Sequence, residues 1–393
     1  MVSFEFATAT RILFGAGRSR EAAAEVAGLG VRRVLLASGR TPGRSEGLRE
    51  GLAARGIAAR AFEVGHEPTV ELVREGVLAA REAGCDGVVA MGGGSVLDAG
   101  KAVAALLGNP GDPLDYLEVL GRGRPLSSPS VPFVAVPTTA GTGSEVTRNA
   151  VLGSREARVK ASLRSPLMLA RLAVVDPDLL EGAPASVLAS SGLDALSQLI
   201  EPYLSARANP LTDAFATLGI ARSARSLRRA CLEGTDPAVR EDLALASLLG
   251  GLCLANAGLG AVHGFAAPVG GMFDAPHGAV CAALLPTVLR VNLRALRERA
   301  PGHPSLPRFA ELGRLVSGRP EAGAEDALAF VTELCAALRV PGLEAYGMTS
   351  ADVPAVVARA KAASSMKANP LALTDAELAE IAERSLEAAR REG

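Results

Sequence analysis

The sequence predicts an α/β N-terminal domain with a parallel sheet, followed by an all-α C-terminal domain. Short apolar runs alternate with segments of helical periodicity in the first half of the chain, whereas strand-like runs nearly vanish beyond Pro184. The length of 393 residues also exceeds what one hydrophobic core usually organises. We therefore expect an α/β domain over residues 1–180 and an α-helical domain over residues 181–393.

The alternating pattern of the first half specifies the order of the elements. Apolar runs bounded by Gly, Pro or charged residues predict buried parallel strands at residues 34–37, 59–64, 87–91 and 131–136. Helices are predicted between them at residues 45–55, 69–83 and 95–107. Repeated strand–helix–strand units predict a parallel sheet that is covered by helices on both faces.

The composition excludes several classes of partner. The formal net charge is -1 and the basic residues are scattered, so we expect neither nucleic acid nor an anionic membrane surface. The five cysteines form no Cys-x-x-Cys pair and the start of the chain does not resemble an export signal, which together predict free thiols in the cytoplasm. Residues 243–273 are uncharged but contain seven glycines, and we interpret them as buried helices and turns rather than a membrane span.

A glycine turn follows the predicted strand at residues 87–91. Gly92, Gly93 and Gly94 precede Ser95, which is predicted to open a helix. Glycines allow a ligand to approach the backbone closely, and the free amides at a helix N-terminus favour negative charge. At the carboxyl end of a parallel strand this turn predicts phosphate binding, with an ordinary strand-to-helix connection as the alternative.

Two further polar segments follow predicted strands. The segment 137–147 contains Thr138, Thr139 and Thr142, whose hydroxyls can donate hydrogen bonds to phosphate or ribose oxygens, although a solvated loop is the alternative.

Ser38, Gly39 and Arg40 follow the strand at residues 34–37, where many NAD-selective sites carry an acidic residue that binds the ribose. The lack of a carboxylate and the presence of Arg40 favour a 2′-phosphate, and therefore NADP. Arg40 by itself also fits an ordinary surface residue.

Four residues of the second half form a sparse set of metal-type ligands. Asp194 and Gln198 lie four residues apart on a predicted helix, so both face the same side. His263 and His277 lie in glycine-rich, mostly uncharged sequence. A carboxylate and two imidazoles suit Fe(II), Zn(II) or another divalent ion, to which Gln198 can add an amide oxygen. Each residue alone is also compatible with a structural role.

Taken together, these motifs resemble the iron-containing (group III) alcohol dehydrogenases, within the dehydroquinate synthase-like superfamily that includes glycerol dehydrogenase and maleylacetate reductase. The resemblance covers nearly the whole chain. It rests on Phe14-Gly15-Ala16-Gly17, residues 92–98 with Lys101, residues 137–147, Asp176-Pro177, residues 192–201, His263, Pro276-His277-Gly278 and Asn369-Pro370.

The resemblance implies a Rossmann-like N-terminal domain, a helical C-terminal domain and a cleft between them that holds cofactor and metal. By position it implies cofactor contacts from Gly93, Gly94, Ser95, Asp98, Thr138, Thr139, Thr142, Thr147 and Lys160. It also identifies Asp194, His263 and His277 with three of the family's four metal ligands, and thus as catalytic residues.

Two positions depart from the family pattern. Gln198 stands where the family has a ligating histidine, and Ala267 stands where a further histidine lies. The first change should weaken metal affinity, and the second removes a possible proton relay.

We therefore predict a metal-dependent oxidoreductase that interconverts an alcohol and an aldehyde or ketone by hydride transfer with NAD(P). The metal is expected to bind the substrate oxygen, and the proton to leave through water or the cofactor ribose. Two alternatives stay open: a metal-independent maleylacetate-type reductase, and a non-catalytic dinucleotide-binding protein with a degenerate metal site. We also expect a homodimer, the commonest assembly of soluble enzymes.

Overall fold

The computed structural model describes residues 3–154, 156–157 and 159–388. The chain divides into two compact units, of which one comprises residues 6–181 and the other residues 1–5 with 182–393. The first unit is α/β and the second is helical, which confirms the predicted fold class. Residues 1–2 and 389–393, at the outer ends of the two predicted domains, lie outside the described residues.

Among the described residues, the α/β unit holds a six-stranded parallel sheet with the order β1-β8-β5-β4-β2-β3 and a two-stranded antiparallel sheet of β6 and β7. The strands are β1 (Ile12–Phe14), β2 (Arg33–Ser38), β3 (Ala58–Glu63), β4 (Gly87–Gly92), β5 (Phe133–Pro137), β6 (Asn149–Ser154), β7 (Val159–Arg164) and β8 (Leu172–Val175).

The four strands predicted from apolar runs are confirmed as β2, β3, β4 and β5, but the prediction that all four are buried is wrong for β3. This strand lies at the edge of the sheet, and its residues are exposed or half-buried. The reason is its position, since β3 has a strand neighbour on one side, where it pairs with β2.

Helices cover both faces of the parallel sheet. The helices of this unit are α1 (Ala22–Gly28), α2 (Glu46–Ala53), α3 (Val70–Glu82), α4 (Gly94–Gly108) and α5 (Pro113–Tyr116). On one face, Val34 and Leu36 of β2 share a buried cluster with α1 and α2. On the other face α4 lies so close that a Cβ added to Gly100 would meet the Ala90 Cβ at 2.7 Å.

The second unit is built from long packed helices. They are α6 (Ala185–Leu204), α7 (Pro210–Leu232), α8 (Pro237–Ala257), α9 (Ala261–Phe273), α10 (His277–Arg299), α11 (Ser305–Ser317), α12 (Ala324–Ala337), α13 (Val353–Ala362) and α14 (Asp375–Arg384). Small residues set the closest approaches, because a Cβ at Gly278 of α10 would meet the Ser190 carbonyl oxygen of α6 at 2.6 Å. This contact fixes the start of α10 against α6.

Helix α10 is long and apolar enough to cross a membrane by length and composition alone. However, 78% of its apolar stretch is buried inside the protein, as expected of a core helix. The uncharged residues 243–273 fold into parts of α8 and α9, which meet at an angle of 99°. Their buried faces agree with the interpretation as core helices rather than a membrane span.

Candidate functional site

The glycine turn predicted to bind phosphate connects β4 to α4. Gly93 is the N-cap of α4, and the helix begins at Gly94, one residue before the predicted Ser95. The first-turn amides of an α-helix have no intrahelical partner and are free to bind an anion. A Cβ on Gly94 would lie 2.5 Å from Cγ2 and 2.8 Å from Oγ1 of Thr142, so the turn admits only glycine without rearrangement.

The hydroxyl-rich turn after β5 packs against the glycine turn. The strands β4 and β5 are neighbours, and Thr138 donates its amide to the Gly92 carbonyl at 2.9 Å. A Cβ on Gly93 would lie 3.3 Å from the Thr139 hydroxyl oxygen, which places that side chain over the turn. The structure thus brings both predicted turns together at the carboxyl edge of the parallel sheet.

Lys101 lies on α4 and connects this helix to the hydroxyl-rich turn after β5. Its ammonium group is fully buried and donates to the carbonyl oxygen of Ser144 at 2.6 Å, to Oγ1 of Thr147 at 2.9 Å and to the carbonyl oxygen of Asn149 at 2.9 Å. Burial lowers the pKa of Lys101 to about 8, although the charges of Asp98 and Glu145 oppose the shift. Thr147, predicted to contact cofactor, is therefore a partner of Lys101.

Asp98 has a similar bridging position. Its carboxylate accepts from the Ser144 hydroxyl at 2.5 Å and from the Val151 amide at 2.9 Å, and so it joins α4 to the hydroxyl turn and to β6. The structure gives this residue, also predicted to contact cofactor, a role in holding the turn.

The segment after β2 lies beside the glycine turn. Ser38 pairs in register with Met91 of β4, and a Cβ on Gly39 would lie 3.8 Å from Val96 of α4. Arg40 is largely exposed and forms an ion pair with Glu63 at 3.2 Å. A 2′-phosphate would have to compete with this carboxylate for the guanidinium group.

Lys160, the last residue predicted to contact cofactor, lies on β7. Its ammonium group forms an ion pair with Glu67. Glu67 lies between β3 and α3 and is not part of the glycine turn.

In the helical unit, Asp194, His263 and His277 converge. The Oδ1 atom of Asp194 lies 3.2 Å from Nε2 of His263 and 3.8 Å from Nε2 of His277. Cys281 completes the group, because its Sγ lies 3.8 Å from Nε2 of His263 and 3.7 Å from Nε2 of His277. All four ligand atoms lie within 4.8 Å of one another.

These separations fit a single bound cation. Bonds of about 2.0 Å from nitrogen or oxygen and about 2.3 Å from sulfur, at tetrahedral angles, put neighbouring ligand atoms roughly 3.3–3.6 Å apart. Four of the six separations, at 3.2–3.8 Å, are close to that range, and all six are within 4.8 Å. Asp194, His263 and Cys281 are buried, whereas the His277 side chain is 36% exposed.

Glu201, one helical turn beyond Gln198 on α6, orients His263. Its Oε2 lies 2.6 Å from Nδ1 of His263, and its Oε1 accepts the Val262 amide at 2.7 Å. A proton held on Nδ1 leaves the Nε2 lone pair directed at the ligand cluster. Such a carboxylate behind a ligating imidazole is the usual partner in metal sites and raises the basicity of the ligand.

The cluster strongly favours positive charge. Burial lowers the pKa of His277, but the interactions with Cys281 and Asp194 outweigh it and raise that pKa to about 9. The pKa of His263 is likewise raised well above its usual range. Burial acts to raise the pKa of Asp194, but the two imidazoles hold it below its usual value. The directions of these shifts mean that the cluster favours bound positive charge.

Gln198 lies beside the cluster and hydrogen-bonds to Asp194, an interaction that helps to lower the pKa of that carboxyl. Its Oε1 atom is buried without a hydrogen-bond partner among the described residues. A half-turn of the amide would exchange its oxygen and nitrogen, so the same side chain can present either atom.

Sequence reasoning missed two residues of this site. Cys281 lies four residues after His277 on α10, the spacing that puts two side chains on one helical face. Glu201 lies seven residues, about two turns, after Asp194 on α6, which also places it on the ligand side. Both spacings were visible in the sequence once the neighbouring ligands were identified.

The chain combines a parallel α/β unit that has a glycine turn at a strand end with a helical unit that has a cluster of metal-type donors. This combination is typical of dinucleotide-dependent oxidoreductases that use a metal. Comparison with known proteins agrees. Residues 9–177 match the family described as iron-containing alcohol dehydrogenase, and residues 188–386 match the C-terminal part of the Fe-containing alcohol dehydrogenase family.

The chain belongs to the iron-containing alcohol dehydrogenase family and is an alcohol dehydrogenase. It is 38% identical over 338 residues to the 1,3-propanediol dehydrogenase of Klebsiella pneumoniae, and the aligned region covers 84% of each of the two chains. The family implies NAD(H) and iron or another divalent metal.

Solved structures show the same fold. A 1,3-propanediol oxidoreductase superposes with a TM-score of 0.89 at 34% identity and covers 97% of this chain and 99% of its own. A sulfoacetaldehyde reductase from Bifidobacterium kashiwanohense in complex with NAD+ superposes with a TM-score of 0.85 at 26% identity, and covers 98% of this chain and 99% of its own.

Proposed function

We propose that this alcohol dehydrogenase interconverts a small alcohol and its aldehyde or ketone, and that Asp194, His263 and His277 hold the divalent metal on which the reaction depends. The convergence of these three side chains carries the proposal, because they come from three different helices and yet their ligand atoms lie within 4.8 Å of one another. Three separate structural roles would not require that convergence.

The side chains at the candidate metal site have different roles in the proposed reaction. A divalent cation held here supplies Lewis acidity, which lowers the pKa of an alcohol and stabilises negative charge on oxygen. Asp194 contributes negative charge, and Glu201 keeps the proton of His263 on Nδ1. Ala267 offers no ionisable group, so this position would not relay the substrate proton.

The α/β unit supplies the cofactor site of the proposal. The first-turn amides at Gly94 and Ser95 would bind the pyrophosphate, and the hydroxyls of Thr138, Thr139 and Thr142 would bind phosphate or ribose oxygens. Asp98 and Thr147 act by holding the hydroxyl turn in place through Ser144 and Lys101. In this scheme Lys160 reaches the cofactor only if it leaves Glu67.

The test is turnover of NADH or NADPH with a panel of small aldehydes, including 3-hydroxypropanal and sulfoacetaldehyde, after loading with Fe(II) or Zn(II). Metal-dependent oxidation of the reduced cofactor supports the proposal, and no turnover with any metal rejects it. Asp194→Ala separates the maleylacetate-type alternative, because a metal-independent reductase should retain activity in that variant.

For the cofactor we propose that Arg40 accepts a 2′-phosphate and that NADP(H) is therefore used as well as NAD(H). The support is the lack of a carboxylate at residues 38–40 and the exposed guanidinium group of Arg40. We expect Arg40→Ala to lower kcat/KM for NADPH about tenfold, equivalent to ~1.4 kcal/mol, and to leave the value for NADH unchanged.

Arg49→Ala is the matched control, since Arg49 is an exposed arginine that pairs with Glu46 on α2. An equal loss with both cofactors, or no loss with NADPH, would contradict the role of Arg40. The predicted homodimer and the cytoplasmic location stay predictions, of which light scattering on the purified protein tests the first.

A further inference from the structure

We propose that Cys281 is the fourth protein ligand of the metal and replaces the imidazole that is missing at position 198. The inference rests on the metal site of the proposed function but concerns its composition. It would make the donor set one carboxylate, two imidazoles and one thiolate, in place of a set without sulfur.

The thiol of Cys281 lies where a metal ligand would lie. The Sγ of Cys281 lies 3.8 Å and 3.7 Å from the Nε2 atoms of His263 and His277, which are the sulfur–nitrogen separations of two ligands on one ion. Cys281 is completely buried at the start of α10, and that helix is held against α6 by the Gly278 contact. The thiol therefore cannot move aside into solvent.

Gln198 contacts Asp194 and is a weaker donor than Cys281. It hydrogen-bonds to Asp194, and its Cβ lies close to Gly250 of α8. An amide oxygen is a weaker donor for Fe(II) or Zn(II) than a thiolate. Gln198 is therefore assigned to positioning the Asp194 carboxylate, and Cys281 to direct ligation.

A sulfur ligand affects which metal ion the site prefers. Binding through sulfur forms one metal–sulfur bond and releases one proton to solvent, taken from the thiol or from an imidazolium neighbour. Zn(II) lies above Fe(II) in the stability order of divalent ions, and thiolate ligands bind it well. The site is therefore expected to retain Zn(II) more strongly than Fe(II).

The experiment uses Co(II) as a spectroscopic probe for full-length, chelator-treated protein, and Zn(II) for affinity. The wild-type protein should show sulfur-to-cobalt charge-transfer absorption in the near ultraviolet. Cys281→Ser and Cys281→Ala should lose that absorption and bind Zn(II) about 100-fold more weakly or worse, beyond the usual cost of losing an outer partner of a ligand. Gln198→Ala should keep the absorption.

Cys335→Ser is the matched control, because Cys335 is a buried cysteine of the same unit whose thiol contacts the Ala282 carbonyl at 3.6 Å. It should retain both the absorption and the Zn(II) affinity. The double variant Cys281→Ala with Gln198→His should recover Zn(II) affinity without the sulfur band, since it restores a fourth donor as imidazole.

Charge-transfer absorption and Zn(II) affinity that are unchanged in Cys281→Ser, with circular dichroism showing a folded protein, would overturn the inference. So would a wild-type Co(II) spectrum without the sulfur band. Because neither readout needs turnover, a protein that binds metal through Cys281 but reduces no aldehyde would reject the proposed function and support the inference.

Discussion

Glu201 shows how one residue outside the group of candidate metal ligands orients a member of that group, His263. The carboxylate holds Nδ1 of His263 at 2.6 Å and thereby determines which imidazole nitrogen is available to a cation. Its second oxygen accepts the Val262 amide at the start of α9, so the position of the helix and the orientation of the ring are coupled.

Glu201→Gln is predicted to lower metal affinity about 10- to 100-fold, because an amide oriented toward Nδ1 no longer supplies a charged acceptor. Competition titration with a chromophoric chelator measures the change. Glu377→Gln, which removes another buried carboxylate of the helical unit, should leave the affinity unchanged. Equal affinities for Glu201→Gln and the wild type would show that His263 does not need this partner.

At the residue scale, the ligands were predictable to different degrees. Asp194, His263 and His277 were identified because the resemblance assigns those positions, and the structure brings them together. The sequence does not single out Cys281, because its spacing from the other cysteines forms no motif and its spacing of four residues from His277 becomes informative only when His277 is taken as a ligand. The partners of Arg40 and Lys160, Glu63 and Glu67, depend on how distant segments meet, which local sequence does not contain.

At the scale of elements, helix α4 joins the glycine turn to the buried network around Lys101. Its sequence repeats small residues where β4 and β5 pack closely, and its N-terminus is placed at the sheet edge. The charges are buried with it, because Lys101 and Glu145 both lie out of solvent. The turn is thus held by packing and by polar contacts together.

Gly94→Ala is predicted to raise KM for NADH about tenfold or more with a smaller effect on kcat. The added Cβ meets Thr142 at 2.5 Å, and the rearrangement that accommodates such overpacking costs roughly 1–3 kcal/mol of free energy. Gly47→Ala on α2 is the control, since its Cβ would meet nothing within 4 Å. Unchanged kinetics in Gly94→Ala would separate this turn from cofactor binding.

Glu145→Gln is predicted to stabilise the protein more at pH 8 than at pH 5. Burial raises the pKa of Glu145 from 4.5 to about 7, so the folded state binds more protons than the unfolded state between those values. Stability conferred by the neutral acid is therefore lost as pH rises from about 4.5 to 7, by up to ~3 kcal/mol. Glutamine mimics the neutral acid at every pH and avoids this loss.

Thermal unfolding of the two proteins at pH 5 and pH 8 measures the difference. Glu50→Gln, at an exposed position on α2, changes the net charge equally and should show no comparable dependence on pH. A constant difference in Tm between Glu145→Gln and the wild type across this range would contradict the buried-acid explanation.

The elements that sequence patterns predicted are those with a strong periodic or apolar signal. The segments predicted as helices at residues 45–55, 69–83 and 95–107 correspond to α2, α3 and α4. By contrast β1 has only three residues, and the β6–β7 pair alternates half-buried and buried residues without a continuous apolar run. The stability of these strands comes from pairing, which a local pattern does not reveal.

At the scale of the whole molecule, the two units divide the chemistry. The α/β unit contains the glycine turn and the hydroxyl turn, and the helical unit contains the ligand cluster. Composition and periodicity were sufficient to predict both classes of unit, because each follows from patterns repeated over many residues. The identity of the metal and of the substrate depends on a few side chains, and so it needs measurement.

Metal titration of chelator-treated protein, followed by NAD(P)H-linked aldehyde reduction at each addition, tests whether the reaction depends on the metal. We predict that metal-free protein is inactive, that activity rises in proportion to added Zn(II) or Fe(II), and that it levels at one equivalent per chain. Full turnover by metal-free protein would show that the reaction does not need the metal.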